Sequence, residues 1–224
     1  MRITKGMLAI VLSKLKSFER HGNSALSQKT IYEQYSTDSE IAAEILWSAY
    51  IRGDIADRVI ADLGCGTGIL GIGALLLDAK MIFFVDKDSS ALSVVRENIK
   101  IINEFCEKEK KLSIDIERRT LFFEKDIRDF HNKSDTAVIN PPFGTKVRHA
   151  DIEFLKIACK TSPVIYSLHK SETSGYIIGF YQKSGFGIST IREFSFPLKA
   201  SLSHHSRRIY RFKVCCIRAE RLRK

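Results

Sequence analysis

The chain contains no run of about 18 apolar residues, and Met1-Arg2-Ile3-Thr4-Lys5 does not open an apolar stretch closed by small residues. A membrane span and a secretory leader are therefore not expected, whereas a soluble, cytoplasmic protein is. The five cysteines, Cys65, Cys106, Cys159, Cys215 and Cys216, include no Cys-x-x-Cys pair. That spacing argues against a zinc cage or a disulfide framework, so reduced, mostly buried thiols and no metal site are expected. Internal repeats and low-complexity tracts are missing as well.

What is present suffices for one sizeable core. A length of 224 residues with 44% hydrophobic content matches one domain over residues 1–224. Residues 1–50 read as a helical extension, and residues 58–224 as the core. The net charge of +10 is concentrated at the ends. Residues 199–224 hold nine Lys/Arg against Glu220 alone, and residues 1–35 hold six against Glu19 and Glu33. The stretch between is slightly negative. Because phosphate neutralisation supplies most non-specific affinity for nucleic acid, basic ends around a near-neutral body suit a protein that grips a polyanion.

Apolar residues at helical spacing predict helices over residues 6–20 and from Asp38 to Tyr50, with a polar loop between them. From Arg58 the pattern changes. Short apolar runs at Val59–Leu63, Met81–Asp86, Thr136–Asn140 and Val164–Leu168 alternate with helical stretches after Gly68 and across Ser89–Glu107. That alternation implies a doubly wound, mostly parallel α/β sheet. Gly187–Phe194 and Arg208–Val214 alternate apolar with polar and have no helix between them, which predicts a closing antiparallel hairpin. This is the arrangement of Rossmann-like class I methyltransferases. Within Leu112–Glu124, Leu-Ser-Ile-Asp-Ile-Glu also alternates and could add a strand.

Asp62-Leu63-Gly64-Cys65-Gly66-Thr67-Gly68 follows an apolar run and opens a helix, a context that brings backbone N–H groups to a ligand. Without Gly-Lys-Ser/Thr it is not a Walker loop, but Gly66–Gly71 fits the dinucleotide pattern and leaves NAD open. The preceding Asp62 and the Gly-x-Gly-x-Gly rhythm resemble the methyltransferase loop that cradles the methionine end of S-adenosylmethionine. Asp86 closes the second run about twenty residues on, where a carboxylate can accept from both ribose hydroxyls; Asp88 suits a helix cap. Asp126 follows Leu121-Phe122-Phe123 and can accept from the cofactor adenine or cap Ile127 onwards.

Asn140-Pro141-Pro142-Phe143 ends an apolar run, and its prolines fix carbonyl direction while removing two N–H donors. The Asn140 amide oxygen and the Pro141 carbonyl can then accept from a planar NH2 group, with Phe143 stacking on a base. Two acceptors draw such a nitrogen toward sp3 character and aim its lone pair at an electrophilic methyl, which is catalysis by positioning and electrostatics.

Tyr32-Glu33-Gln34-Tyr35-Ser36-Thr37, Asn140-Pro141-Pro142-Phe143-Gly144-Thr145-Lys146 and Tyr166-Ser167-Leu168-His169-Lys170 together resemble the methyltransferase-like protein 5 family over residues 26–215. That family methylates adenine N(6) in small-subunit ribosomal RNA. The resemblance implies S-adenosylmethionine contacts from Gln34, Thr37, Gly64, Thr67, Ile69, Asp86, Asp126 and Ile127, with Gln34 and Thr37 in a cofactor-covering segment of residues 1–50; the loop reading adds Asp62 and Gly66. It implies catalysis at Asn140, Pro141, Pro142 and Phe143, and RNA contacts from Lys146, His204, His205, Arg207, Arg208 and Arg211. A small zinc-binding activator subunit, paired with a sheet edge at Met81–Val85 or Leu121–Phe123, is the implied partner.

The family's Lys-Phe-His-Lys-Lys is replaced here by Ser203-His204-His205-Ser206-Arg207-Arg208, and the segment around Lys108–Arg119 is enlarged. Three other activities compete: protein-glutamine methylation, DNA adenine methylation, and RNA binding without catalysis. Against them stand, in turn, Phe143 with the basic ends, the lack of a separate target-recognition domain, and the intact loop and tetrapeptide.

Overall fold

The computed structural model describes residues 3–17, 37–108, 116–141, 150–198 and 210–222. Its elements run α1 (Lys5–Leu12), α2 (Ser39–Ile51), β1 (Val59–Leu63), α3 (Ile69–Leu76), β2 (Met81–Asp86), α4 (Ser89–Lys108) and β3 (Thr120–Glu124). They continue with β4 (Thr136–Ile139), α5 (Ala150–Thr161), β5 (Val164–Lys170), α6 (Ser174–Lys183), β6 (Phe186–Leu198) and β7 (Tyr210–Arg221). One seven-stranded sheet has the order β3-β2-β1-β4-β5-β7-β6. The first five strands are parallel, and β7 joins β5 and β6 antiparallel. The expected α/β architecture with its closing hairpin is therefore present.

Side chains alternate between the two faces of each strand, so the apolar runs feed two cores. Ile82 and Phe84 join Leu8, Leu46, Leu75 and Ile102 on the face covered by α1 to α4. Phe83 and Val85 join Phe130, Leu155, Ile177 and Tyr181 on the other. All five cysteines are buried and free. Among the described residues no helix is long and apolar enough to cross a membrane.

Four boundaries differ from the sequence reading. The first helix ends at Leu12 instead of Arg20, because the chain turns there and the Lys16 N–H donates to the Asn98 Oδ1 on α4 at 2.7 Å. Within Leu112–Glu124 the described residues form a 3-10 turn at Glu117–Arg119 and a strand at Thr120–Glu124, while residues 109–115 lie outside the described set. The hairpin strands are longer than their alternating cores. Met81–Val85 is not a sheet edge, since β2 is flanked by β1 and β3. The edges are β3 and β6.

At the amino edge of the parallel strands a buried polar cluster joins four elements. Arg218 of β7 donates to both Asp54 oxygens, at 2.8 and 3.1 Å, and Tyr166 Oη donates to Asp54 Oδ2 at 2.6 Å. The β6 bulge between Ile188 and Thr190 presents Ser189, whose Oγ accepts from Arg218 at 2.8 Å. Thr136 of β4 donates to the Asp54 carbonyl at 2.7 Å. Partner hydrogen bonds offset the desolvation of these groups.

Candidate active site

β1 delivers the chain to the carboxyl edge, where Gly64 and Cys65 N–H groups both donate to the Val85 carbonyl, at 2.8 and 3.0 Å. Gly64 lies at φ +69°, and a Cβ there would stand 2.7 Å from the Phe154 ring, so the turn needs glycine. Gly68, at φ +78°, starts α3 while pressed against both Val95 methyls. Thr67 and Ile69, beside it, are buried. The resulting backbone cradle sits at a helix N-terminus, which favours negative or electron-rich ligand groups.

Two carboxylates hold the cradle. Gly66 N–H donates to Asp86 Oδ2 and Asp88 N–H to Asp86 Oδ1, both at 3.0 Å. Each Asp86 oxygen thus keeps a lone pair for a further donor. Asp88 caps α4 through Ser90, as its sequence context suggests. Asp62 lies beneath the loop, 2% exposed, accepting from the Gly71 N–H at 2.8 Å. Burial pushes its carboxyl up to about 8, the Gly71 hydrogen bond opposing and the Asp86 charge adding to the rise. Asp126 turns inward on its own segment: Arg128 donates to both oxygens, at 2.8 and 3.0 Å, and holds the carboxyl down to about 2. Ile127 follows, partly buried, in the 3-10 turn that Asp126 caps.

At the adjoining end of β4, Asn140 Nδ2 donates to Thr37 Oγ1 at 2.8 Å. Its Oδ1 is buried and has no hydrogen-bond partner among the described residues. An acceptor left unpaired in the interior costs roughly 1–3 kcal/mol, so it is conspicuous at the end of a strand beside the glycine loop. Pro141 is buried beside it. On β5, His169 is likewise buried, its Nε2 without a partner among the described residues, and burial pushes its imidazole down to about 3, hence neutral.

The structure thus gathers Thr37, Asp62, Gly64, Gly66, Thr67, Ile69, Asp86, Asn140 and Pro141 at one edge, with Asp126 and Ile127 at the end of β3. Gln34, Pro142, Phe143, Lys146, His204, His205, Arg207 and Arg208 lie outside the described residues, as does the Arg211 side chain.

Asn98 is the residue the sequence reading missed. Fully buried on α4, it accepts from the Lys16 N–H, donates to the Lys16 carbonyl at 3.1 Å, and donates to the Thr67 carbonyl at 2.9 Å. One side chain therefore pins both the N-terminal segment and the glycine loop. Its signal was a lone amide within the apolar stripe Leu92, Val95, Ile99, Ile102 and Cys106.

Comparison with known proteins places this geometry. A protein of Methanocaldococcus jannaschii without a characterised activity is 32% identical over 98% of this chain and 95% of its own. The Danio rerio rRNA N(6)-adenosine-methyltransferase METTL5 is 31% identical over 92% of this chain and 97% of its own. The chain belongs to the METTL5 family. A crystal structure from Pyrococcus horikoshii, provisionally described as an RNA methyltransferase, is 33% identical, with a TM-score of 0.78 over 98% of both chains. The model of the Ribosomal protein L11 methyltransferase (PrmA) family matches residues 46–136, the part that carries the glycine loop. Membership in the METTL5 family makes S-adenosylmethionine the cofactor. The positive-φ loop and the open lone pairs of Asp86 fit the backbone contacts and ribose of that cofactor.

Proposed function

We propose that the chain transfers a methyl group from S-adenosylmethionine to the exocyclic N6 of an adenine in structured small-subunit ribosomal RNA. The observation that carries this reading is Asn140: its NH2 end is held by Thr37, so its buried oxygen, which accepts from no group among the described residues, is left for a donor of the substrate. That oxygen and the Pro141 carbonyl each accept a hydrogen bond from one N–H of the amine and so orient its lone pair; the amine nitrogen gives up a single proton to solvent once methylated. The cofactor, when bound, supplies the electrophilic methyl of a sulfonium. Asp62, Gly64, Gly66, Thr67, Ile69 and Asp86 hold it, with Gln34 and Thr37 covering it. Asp126 and Ile127 face its adenine, Asp126 after release from Arg128. Pro142 and Phe143 complete the base pocket.

The RNA grip falls to Lys146, His204, His205, Arg207, Arg208 and Arg211. Support comes from β6 and β7, which run past the last β5 partner, Lys170, toward the carboxyl edge and carry residues 199–209 between them. The zinc-binding activator pairs with β3, a reading supported by its place at the sheet edge and the exposure of Leu121. Residues 1–224 act as one cytoplasmic domain, in keeping with two cores on one sheet.

The test is tritium transfer from labelled cofactor onto RNA, DNA and protein, followed by nucleoside analysis. The expected product is N6-methyladenosine in RNA. Label in protein amide or DNA alone overturns the assignment.

A further inference from the structure

The activity proposed above uses only the carboxyl edge of the parallel strands. At the opposite edge a cavity of about 900 Å³ opens among the residues before β4, the end of α5, α6 and the end of β7. His131, Lys133, Lys156, Lys160 and Arg221 line it, and among the described residues no carboxylate does. Every one of these five side chains is exposed at the surface.

Some of this charge has a local duty, because the last turn of a helix leaves carbonyls unpaired at the negative end of its dipole. Lys133 Nζ donates to the Lys160 carbonyl at 2.6 Å, and Arg221 donates to that of Cys159. Capping occupies one of three donors in Lys133 and one of five in Arg221. It leaves Lys156, Lys160 and His131 over. Lys156 pairs with Glu153 at 2.7 Å, an exposed interaction of small energy. A neighbouring cavity shares Pro163, Ser184 and Arg221 but is lined by Asp54, Asp135 and Glu220. Those acids have other partners: Arg218 takes Asp54 and Glu220, and the Val59 N–H takes Asp135.

We propose that this basic cavity is a second anchor for the RNA substrate, taking backbone phosphates at the amino edge while the target adenine lies at the carboxyl edge. The inference rests on the RNA methyl-transfer reading. Phosphate fits because exposed cations on long stems attract charge without reading sequence. The seven residues of β5 separate the two edges by roughly 23 Å, at about 3.3 Å per residue. A mononucleotide cannot touch both edges, whereas a folded RNA can.

The test is the double variant Lys156→Ala/Lys160→Ala, with thermal unfolding to verify that the fold is unchanged. A fluorescently labelled transcript of small-subunit ribosomal RNA is titrated across a series of potassium chloride concentrations. The slope of log affinity against log salt is expected to fall by about 0.7 to 0.9 for each phosphate that the variant no longer neutralises. KM for the transcript rises about tenfold, as removing two cations from a phosphate site requires, while kcat and the KM for cofactor stay unchanged. An unchanged slope and KM overturn the proposal even with methyl transfer intact. Weakened binding to an acidic polypeptide, with the RNA slope unmoved, assigns the surface to a protein and overturns it too. A wild-type protein that binds the transcript through these lysines yet methylates only DNA or protein upholds the anchor and refutes the RNA methyl-transfer reading.

Discussion

Asn140 and Thr37 illustrate how much a single side chain contributes when its orientation is held. Asn140→Ala removes the unpaired acceptor while leaving the glycine loop and Asp86 untouched. Turnover on RNA should drop by at least about a hundredfold, the scale of removing one preorganised group. S-adenosylhomocysteine should still raise the melting temperature through linkage. Wild-type turnover in this variant would remove Asn140 from the mechanism. Asn98→Ala deletes one buried and two part-buried hydrogen bonds, at a cost of about 2 kcal/mol or more, and frees the Thr67 carbonyl. Its signature should be a KM for cofactor raised about tenfold with kcat nearly retained; a fall in stability with unchanged KM would make Asn98 purely structural.

Asp62 gives a pH signature of its own. With its folded value raised to about 8 from 3.8, the native chain holds a proton that the unfolded chain has released between those values. Stability contributed by this group is therefore present at low pH and declines as pH rises, with a slope approaching about 1.4 kcal/mol per pH unit. Asp62→Asn keeps the shape and should flatten the profile between pH 4 and pH 8 in urea melts of the cofactor-free protein. The glycine loop, Asp86 and Asn140 were legible in the sequence because their chemistry depends on immediate neighbours. Their supports were not: Thr37 meets Asn140 across 103 positions, and Lys16 meets Asn98 across 82.

At the level of elements, the parallel strands declared themselves by apolar runs that fill both faces of the sheet. Where periodicity and tertiary packing disagreed, packing won. α1 could continue by apolar spacing, yet stops where Asn98 offers Lys16 a better backbone partner. Of the two runs offered as a sheet edge, Met81–Val85 is covered on both sides by β1 and β3, and Leu121–Phe123 of β3 is the one that stands at the edge. The Arg218–Asp54–Tyr166 cluster was invisible because its members come from β7, the end of α2 and β5. Removing one member of a buried ion pair typically costs 3–5 kcal/mol. Arg218→Ala should therefore lower the melting temperature by about 10 °C for a chain of this size, with little change in kcat below the transition. A loss under about 2 °C would show that the pair merely offsets its own desolvation.

For the whole molecule, the charge reading from composition located cations at the chain ends, and the fold redistributes them. Arg221, from the basic C-terminal stretch, comes to lie beside Lys133, Lys156 and Lys160, from the near-neutral body. Sequence position alone could not reveal that proximity, since it depends on β7 entering antiparallel beside β5.

The same antiparallel entry has a consequence in time. β6 and β7 stay paired out to Leu198 and Tyr210, but the last β5 partner on β7 is Val214. Beyond that point the two strands have no third strand beside them among the described residues, and a bare two-stranded ribbon is only marginally stable in water. Backbone amides there should exchange with deuterium on a graded clock, slowest at Ile217 and Cys216 and progressively faster through Lys213 toward Tyr210 and Leu198. If this ribbon bears the RNA-gripping loop, addition of substrate RNA should slow the outer amides by about tenfold or more while leaving the root unchanged. Uniform exchange along both strands, with or without RNA, would show instead that the ribbon is as rigid as the sheet from which it extends.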